Sequence, residues 1–191
     1  MKELPNFKIH PNGEISKEFL KLNILTFKEA TEFIRKMKYG RNENKNNLKT
    51  VFVDNCGTCS TKHSLIKKLA DENNFSEIKL VLGIFKMNSS NTKEIRQTLK
   101  TYNLEYLPEA HNYLKYDSEI YDFTKKDSKP TDFINELLEE IEIKPEQITN
   151  FKVNYHKEYL AKWLTENKKI KFTLNEIWKI REKCIENLTE N

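Results

Sequence analysis

Asn55-Cys56-Gly57-Thr58-Cys59-Ser60-Thr61-Lys62-His63 is the stretch on which the reading of this 191-residue chain turns. Gly57 permits a sharp turn that exposes the next cysteine. Beyond it Leu65, Ile66, Leu69 and Ala70 recur at helical spacing, so a helix opens near Cys59 and frays into Asp71 to Asn74. A sulfur in the first turn of a helix meets unpaired backbone N–H groups and the positive end of the dipole, both of which favour the thiolate. A cysteine taken alone reads first as a small buried hydrophobe without chemistry. Lys62 and His63 lie one turn further on. His63, four residues past Cys59, shares its helix face, so both cations are candidates for holding the thiolate or a substrate; the competing reading makes them solvent-facing polar residues.

Working outward, Thr26-Phe27-Lys28-Glu29 has the form of a capping box. It opens a helix whose apolar face is Phe27, Ala30, Phe33, Ile34 and Met37 and which stops near Gly40. Ile15 to Leu22 is a short helix before it, and Arg41 to Asn47 is a polar loop. Leu48 to Val53 is ambiguous, its Val51-Phe52-Val53 favouring a strand by side-chain type. Ile78 to Met87 reads as a largely buried strand and Asn91 to Tyr102 as a helix. Ala110 to Tyr116 and Glu119 to Thr124 form a hairpin turning at Asp117-Ser118. From Thr131 the pattern is helical: Phe133, Ile134, Leu137, Leu138 and Ile141 make one stripe, and Tyr155, Tyr159, Leu160, Trp163 and Leu164 another. A second capping box, Thr173 to Glu176, opens the last helix. These elements describe an α+β chain expected to form one domain over 1–191, with a core over about 26–130 and a C-terminal helical extension over about 131–191 packed on it.

The hairpin supplies the other chemical groups. With the turn at Asp117-Ser118, Tyr116 pairs with Glu119, Tyr113 with Asp122 and His111 with Thr124. His111 and Asp122 are then diagonal neighbours on one face, with backbones about 7–8 Å apart. A one-residue slip would carry Asp122 to the opposite face. Asp122 is the candidate that orients the imidazole of His111, leaving its other nitrogen for the thiol proton of Cys59. Each alone has a plain reading, as a strand-edge histidine and a hairpin-end carboxylate. Glu109, two residues before His111 on the same strand face, is a candidate for a substrate amine or a salt-bridge partner.

Composition bounds the rest. Thirty-three basic residues face 29 acidic ones for a net charge of +4, a small and dispersed excess that argues against a nucleic-acid surface. Mean hydropathy is −0.77. Hydrophobic residues make up 37% and fall in periodic segments, which makes a packed core feasible. No run is apolar enough to span a membrane, and Met1 to Pro5 lacks the apolar stretch of a secretory signal. Three cysteines make a disulfide framework improbable, so free thiols in a reducing cytoplasm are expected.

Gly57-Thr58-Cys59-Ser60-Thr61-Lys62-His63, a strand over Leu80 to Met87, Pro108-Glu109-Ala110-His111 and Tyr121-Asp122-Phe123-Thr124 together resemble the transglutaminase-like superfamily, with its papain-like cysteine fold. They resemble more closely a bacterial branch carrying similar GTCSTKH and PEAH segments; Tyr39-Gly40-Arg41-Asn42 and Trp178 to Cys184 extend the likeness to roughly residues 25 to 190. The resemblance implies an α+β fold in which the Cys helix packs on an antiparallel sheet bearing His111 and Asp122. It implies acyl transfer through a thioester on Cys59 but brings no substrate, since the superfamily includes cross-linking enzymes, peptidases, amidases and inactive binding domains. A small-molecule amide or a peptide or protein substrate is expected; the chemistry requires no cofactor, and no metal is expected. The chain departs from better-known members at Asn112-Tyr113, where many place an aromatic residue directly after the histidine, and in having no tryptophan near Cys59. The second oxyanion donor is therefore unassigned.

Three other readings compete. Cys56 and Cys59 form a C-x-x-C opening a helix, a thioredoxin-like cue that makes Cys56 the attacking sulfur of a thiol–disulfide oxidoreductase and leaves His111 and Asp122 without a role. Cys56, Cys59 and His63 have zinc-like spacing but lack a fourth ligand. A non-catalytic interaction domain would keep the fold alone. Cys184, among Ile177, Trp178 and Leu188, is expected in the core.

Overall fold

A computed structural model describes residues 3–189 as a mixed α+β protein. Met1 and Lys2, part of the stretch read for a secretory signal, lie outside the described residues. In chain order the helices and strands are α1 (Glu14–Lys21), α2 (Phe27–Lys36), β1 (Lys38–Tyr39), α3 (Thr50–Val53), β2 (Cys56–Gly57), α4 (Cys59–Glu72) and β3 (Lys79–Asn88). There follow α5 (Arg96–Thr101), β4 (Tyr106–Tyr116), β5 (Glu119–Tyr121), β6 (Leu137–Ile143), α6 (Asn150–Glu166) and α7 (Leu174–Thr189). The main sheet is antiparallel, in the order β5-β4-β3-β6, and β1 and β2 form a separate parallel pair. Among the described residues no helix is long and apolar enough to cross a membrane.

The chain divides into two compact units. Among the described residues the first holds 3–82, 112–130 and 141–149, and the second holds 83–111, 131–140 and 150–189. The first is built around α4. Eleven of its 14 residues are buried, among them Leu65, Ile66, Leu69 and Ala70, because α1, α2 and a 3₁₀ turn at Pro145–Ile148 all pack against it. Glu72, at the end of α4, accepts hydrogen bonds from the Ile15 and Ser16 backbone N–H groups at 3.1 and 2.7 Å. A carboxylate thus satisfies the exposed amides at the start of α1, where the helix dipole favours it. In α2 the Thr26–Glu29 capping box forms as expected. In the second unit α6 and α7 pack together around Leu160, Trp163, Ile177 and Ile180. Thr173 and Glu176 make the reciprocal bonds of the second box.

Several expectations are corrected. Phe133 to Ile141 is not helical: after 3₁₀ turns at Pro130–Asp132 and Ile134–Glu136 the chain runs as β6, whose exposure alternates along Leu137–Ile143. Its Leu-Leu-Glu-Glu-Ile-Glu-Ile fits both a helical stripe and a strand, and the free side of β3 decides for the strand by offering hydrogen-bond partners. The run Thr50–Val53 is a single helical turn, with Val51 buried and Val53 exposed. The segment 91–102 is helical only from Lys93, first as a 3₁₀ turn and then as α5. The hairpin has the expected register, Tyr116↔Glu119 and Leu114↔Tyr121, and Asp117 takes the left-handed conformation (φ 56°) in its turn. Its second strand ends at Tyr121, however, so Asp122 lies just past the ladder.

Candidate active site

The approach to Cys59 is held by backbone pairing and one asparagine. β2 pairs Cys56 with Lys38 and Gly57 with Tyr39. Asn42, buried, donates from Nδ2 to Asp54 and to the Cys56 carbonyl, and its Oδ1 accepts from Thr61 Oγ1 at 2.7 Å. The sharp turn falls at Asn55 (φ 49°) rather than at Gly57, whose φ is not positive. An Asn side chain tolerates the left-handed region by bonding locally. What Gly57 provides is room: a Cβ there would stand 2.9 Å from Lys62 Cγ and 3.0 Å from Thr61 Oγ1. Gly57→Ala is therefore expected to destabilise the fold by about 1–3 kcal/mol, read as a lower urea midpoint, because the Lys62 stem is buried and has nowhere to retreat.

Thr58 is the N-cap of α4, joined to Thr61 in a capping box, and Cys59 is the first helical residue. The first turn carries no carboxylate that would oppose a thiolate there. Cys59 is 8% exposed. The neighbouring Ser60 hydroxyl donates to Asn112 Oδ1 at 2.9 Å, and Asn112 Nδ2 donates to the Val81 carbonyl at 3.1 Å. The start of the helix is thereby tied to β4 and β3 within the first unit. Nothing in the sequence pattern points to this bond between Asn112 and Ser60, 52 residues apart.

Lys62 and His63 are both fully buried, which corrects the solvent-facing reading. Lys62 Nζ donates to the Met37 carbonyl at 2.6 Å and the Thr124 carbonyl at 2.8 Å. Burial lowers its ammonium from 10.5 to about 8, against the opposing pull of Cys56 and Asp122. His63 Nδ1 meets the Cys59 carbonyl at 2.8 Å, and Nε2 accepts the Phe123 backbone N–H at 2.8 Å. Asp122, 7% exposed, accepts the Thr124 N–H at 2.8 Å, and its Oδ1 lies 3.5 Å from His63 Nε2. Cys59, Asp122, Lys62 and His63 all belong to the first unit.

His111 and Glu109 belong to the second. The His111 ring, half-buried, lies 4.8 Å from the Phe133 ring and 6.1 Å from that of Phe85. Glu109 is engaged by Arg181, whose Nε and Nη2 donate to its two oxygens at 2.8 and 2.5 Å. Both carboxylate oxygens are thus taken by the chain's own guanidinium, as the salt-bridge reading has it. Cys184 is buried, and burial pushes its thiol up to about 12.

The geometry weighs against the thioredoxin-like and zinc readings. An attacking cysteine of the first kind needs a favoured thiolate, whereas burial and then Asp54 raise the Cys56 thiol above its ordinary value. Cys56 also sits in a two-residue strand outside the main sheet, before the helix begins. For zinc, both ring nitrogens of His63 are already occupied by backbone groups, and among the described residues no three His, Cys, Asp or Glu side chains converge as ligands. What remains is an α+β protein that carries a thiol at the head of a capped, buried helix. The chain matches no family model, no curated protein and no solved structure among those it was compared with.

Lys62 also gives the fold a pH signature. The unfolded chain holds this proton up to 10.5 and the folded chain only up to about 8. The penalty for burying the charge is therefore present at neutral pH and relieved as pH rises through that window, by up to about 3 kcal/mol. Urea midpoints of wild type are expected to rise relative to those of Lys62→Met between these two values, and to run parallel to them below about 7.

Proposed function

We propose that the protein is a cysteine-dependent acyl-transfer enzyme, an amide or peptide hydrolase or a transglutaminase-like transferase of papain-like fold. Cys59 is its nucleophile, His111 its proton carrier and Asp122 the carboxylate that orients the imidazole. The Cys59 thiolate attacks a carboxamide or ester carbonyl carbon, forming the S–C bond and an oxyanion that the Cys59 backbone N–H helps to stabilise. Collapse breaks the bond to the leaving amine or alcohol, which takes a proton from His111. Water or a second amine, giving its proton to His111, attacks the thioester and releases the thiolate. Atoms balance without a cofactor or a metal.

The observation that carries this reading is the position of Cys59 as the first residue of a 14-residue capped helix whose opening turn lacks acidic groups. The order of Cys, His and Asp along the chain adds to it. The test is turnover of a panel of small amides, peptides and esters by wild type, Cys59→Ala and Cys56→Ser. Acyl transfer requires loss in the first variant and survival in the second; the reverse pattern would replace it with thiol–disulfide exchange.

A further inference from the structure

Asp122, Phe123 and Thr124 follow the end of β5 and have no strand assignment, yet each is only 7% exposed. Buried main chain without a ladder must find its hydrogen bonds elsewhere. Here the partners are two consecutive side chains of α4. The Phe123 N–H donates to His63 Nε2 and the Thr124 carbonyl accepts from Lys62 Nζ, both at 2.8 Å. Thr124 N–H closes back on Asp122 Oδ1. Through its second bond, to the Met37 carbonyl, Lys62 holds the same segment against the end of α2.

The Phe123 bond also fixes the chemistry of His63. An N–H donor facing Nε2 requires a lone pair there, so the hydrogen of the neutral ring sits on Nδ1 and is donated to the Cys59 carbonyl. No hydrogen then lies between Nε2 and Asp122 Oδ1, and their 3.5 Å separation is not an ion pair. A ring committed in this way has no free nitrogen with which to take the thiol proton.

We infer that His63 and Lys62 are positioning residues, which clamp the Asp122–Thr124 segment to the Cys59 helix and thereby fix the carboxylate on which orientation of the catalytic imidazole depends. The role given to Asp122 rests on the acyl-transfer reading; the clamp itself does not. A displacement near 1 Å in such a support is enough to lower a rate about a hundredfold.

His63→Gln retains an amide donor and a carbonyl acceptor in place of the two ring nitrogens, whereas His63→Leu retains neither. Two measurements are made on the full chain: hydrogen exchange of the Phe123 amide, and the pH profile of haloacetamide alkylation at Cys59 with Cys184 as internal reference. Phe123 is expected to be protected in wild type and His63→Gln and to lose at least about tenfold of that protection in His63→Leu. The excess reactivity of Cys59 should fall in His63→Leu to the level of Asp122→Asn and be rescued in His63→Gln without a shift of the pH profile. Equal loss in both His63 variants would overturn the inference, since His63 would then act through its own proton; so would a Phe123 amide still protected in His63→Leu. If wild-type Cys59 reacts no faster than Cys184, the acyl-transfer reading fails while amide exchange still decides the clamp. Should His63→Leu not fold, imidazole nitrogen shifts of the wild type serve instead. They should report hydrogen on Nδ1 of the neutral ring, and the opposite tautomer would refute the clamp.

Discussion

On the acyl-transfer reading, Cys59→Ala is expected to abolish turnover, with a loss in kcat on the order of a millionfold, because removal of the proposed nucleophile would leave only binding and oxyanion stabilisation. His111→Ala should cost nearly as much, and the double variant no more than either alone, since the two groups act as one unit. On the same reading Asp122→Asn should be milder, about ten-thousandfold, because an amide in the proposed orienting position would select the wrong imidazole tautomer. Stability must be followed in parallel. Cys59 is small and buried, so its replacement by Ala removes little packing and should leave the urea midpoint almost unchanged. A kinetic collapse without a stability change identifies the thiol as chemistry. An unchanged rate would make Cys59 the inert core cysteine that a lone thiol so often is.

The parts of this fold that could be read in advance are those fixed by local rules. Thr26 and Thr173 each start a helix whose caps are made within four residues, and the hairpin register follows from its turn. The parts that could not be read are fixed by distant partners. Leu137–Ile143 becomes a strand because β3 offers it an edge, information absent from its own seven residues. Lys62 and His63 read as surface or active-site cations because they fall one turn past Cys59, and only distant partners allow Lys62 to be fully buried. Its partners here are carbonyls at Met37 and Thr124, 25 and 62 residues away. Gly57 was legible as necessary but for the wrong reason: its backbone is ordinary, and the missing Cβ matters because of a lysine stem. Candidate chemistry, by contrast, follows from residue type, chain order and the expected hairpin register, which point to Cys59, His111 and Asp122 and carry no sign of the bond between Ser60 and Asn112, 52 residues apart.

Glu109→Leu should be among the most destabilising single changes in the second unit, by about 3–5 kcal/mol, because it strands a buried guanidinium. Arg181 and Glu109 side chains are 14% and 7% exposed and joined by two parallel bonds. Burial by itself pushes the Glu109 carboxyl up, but Arg181, His156 and Lys152 outweigh it and hold the group below the ordinary carboxylate range. Removing that charge leaves Arg181 facing Lys152 and His156, the last held below its ordinary value by burial, with Glu182 as a carboxylate on Arg181 at 2.8 Å. Adding Arg181→Met should recover most of the loss, since a matched apolar pair avoids the desolvation both ions suffer, and Glu182, 29% exposed, can return to water. Urea unfolding of the two single variants and the double variant measures the coupling. The same series decides what Glu109 is for. A carboxylate that held a substrate amine would, when changed to Gln, raise KM at unchanged stability; one that neutralises Arg181 lowers the urea midpoint and leaves KM alone. The bidentate geometry accounts for both oxygens of Glu109 without any ligand, and so requires the second result.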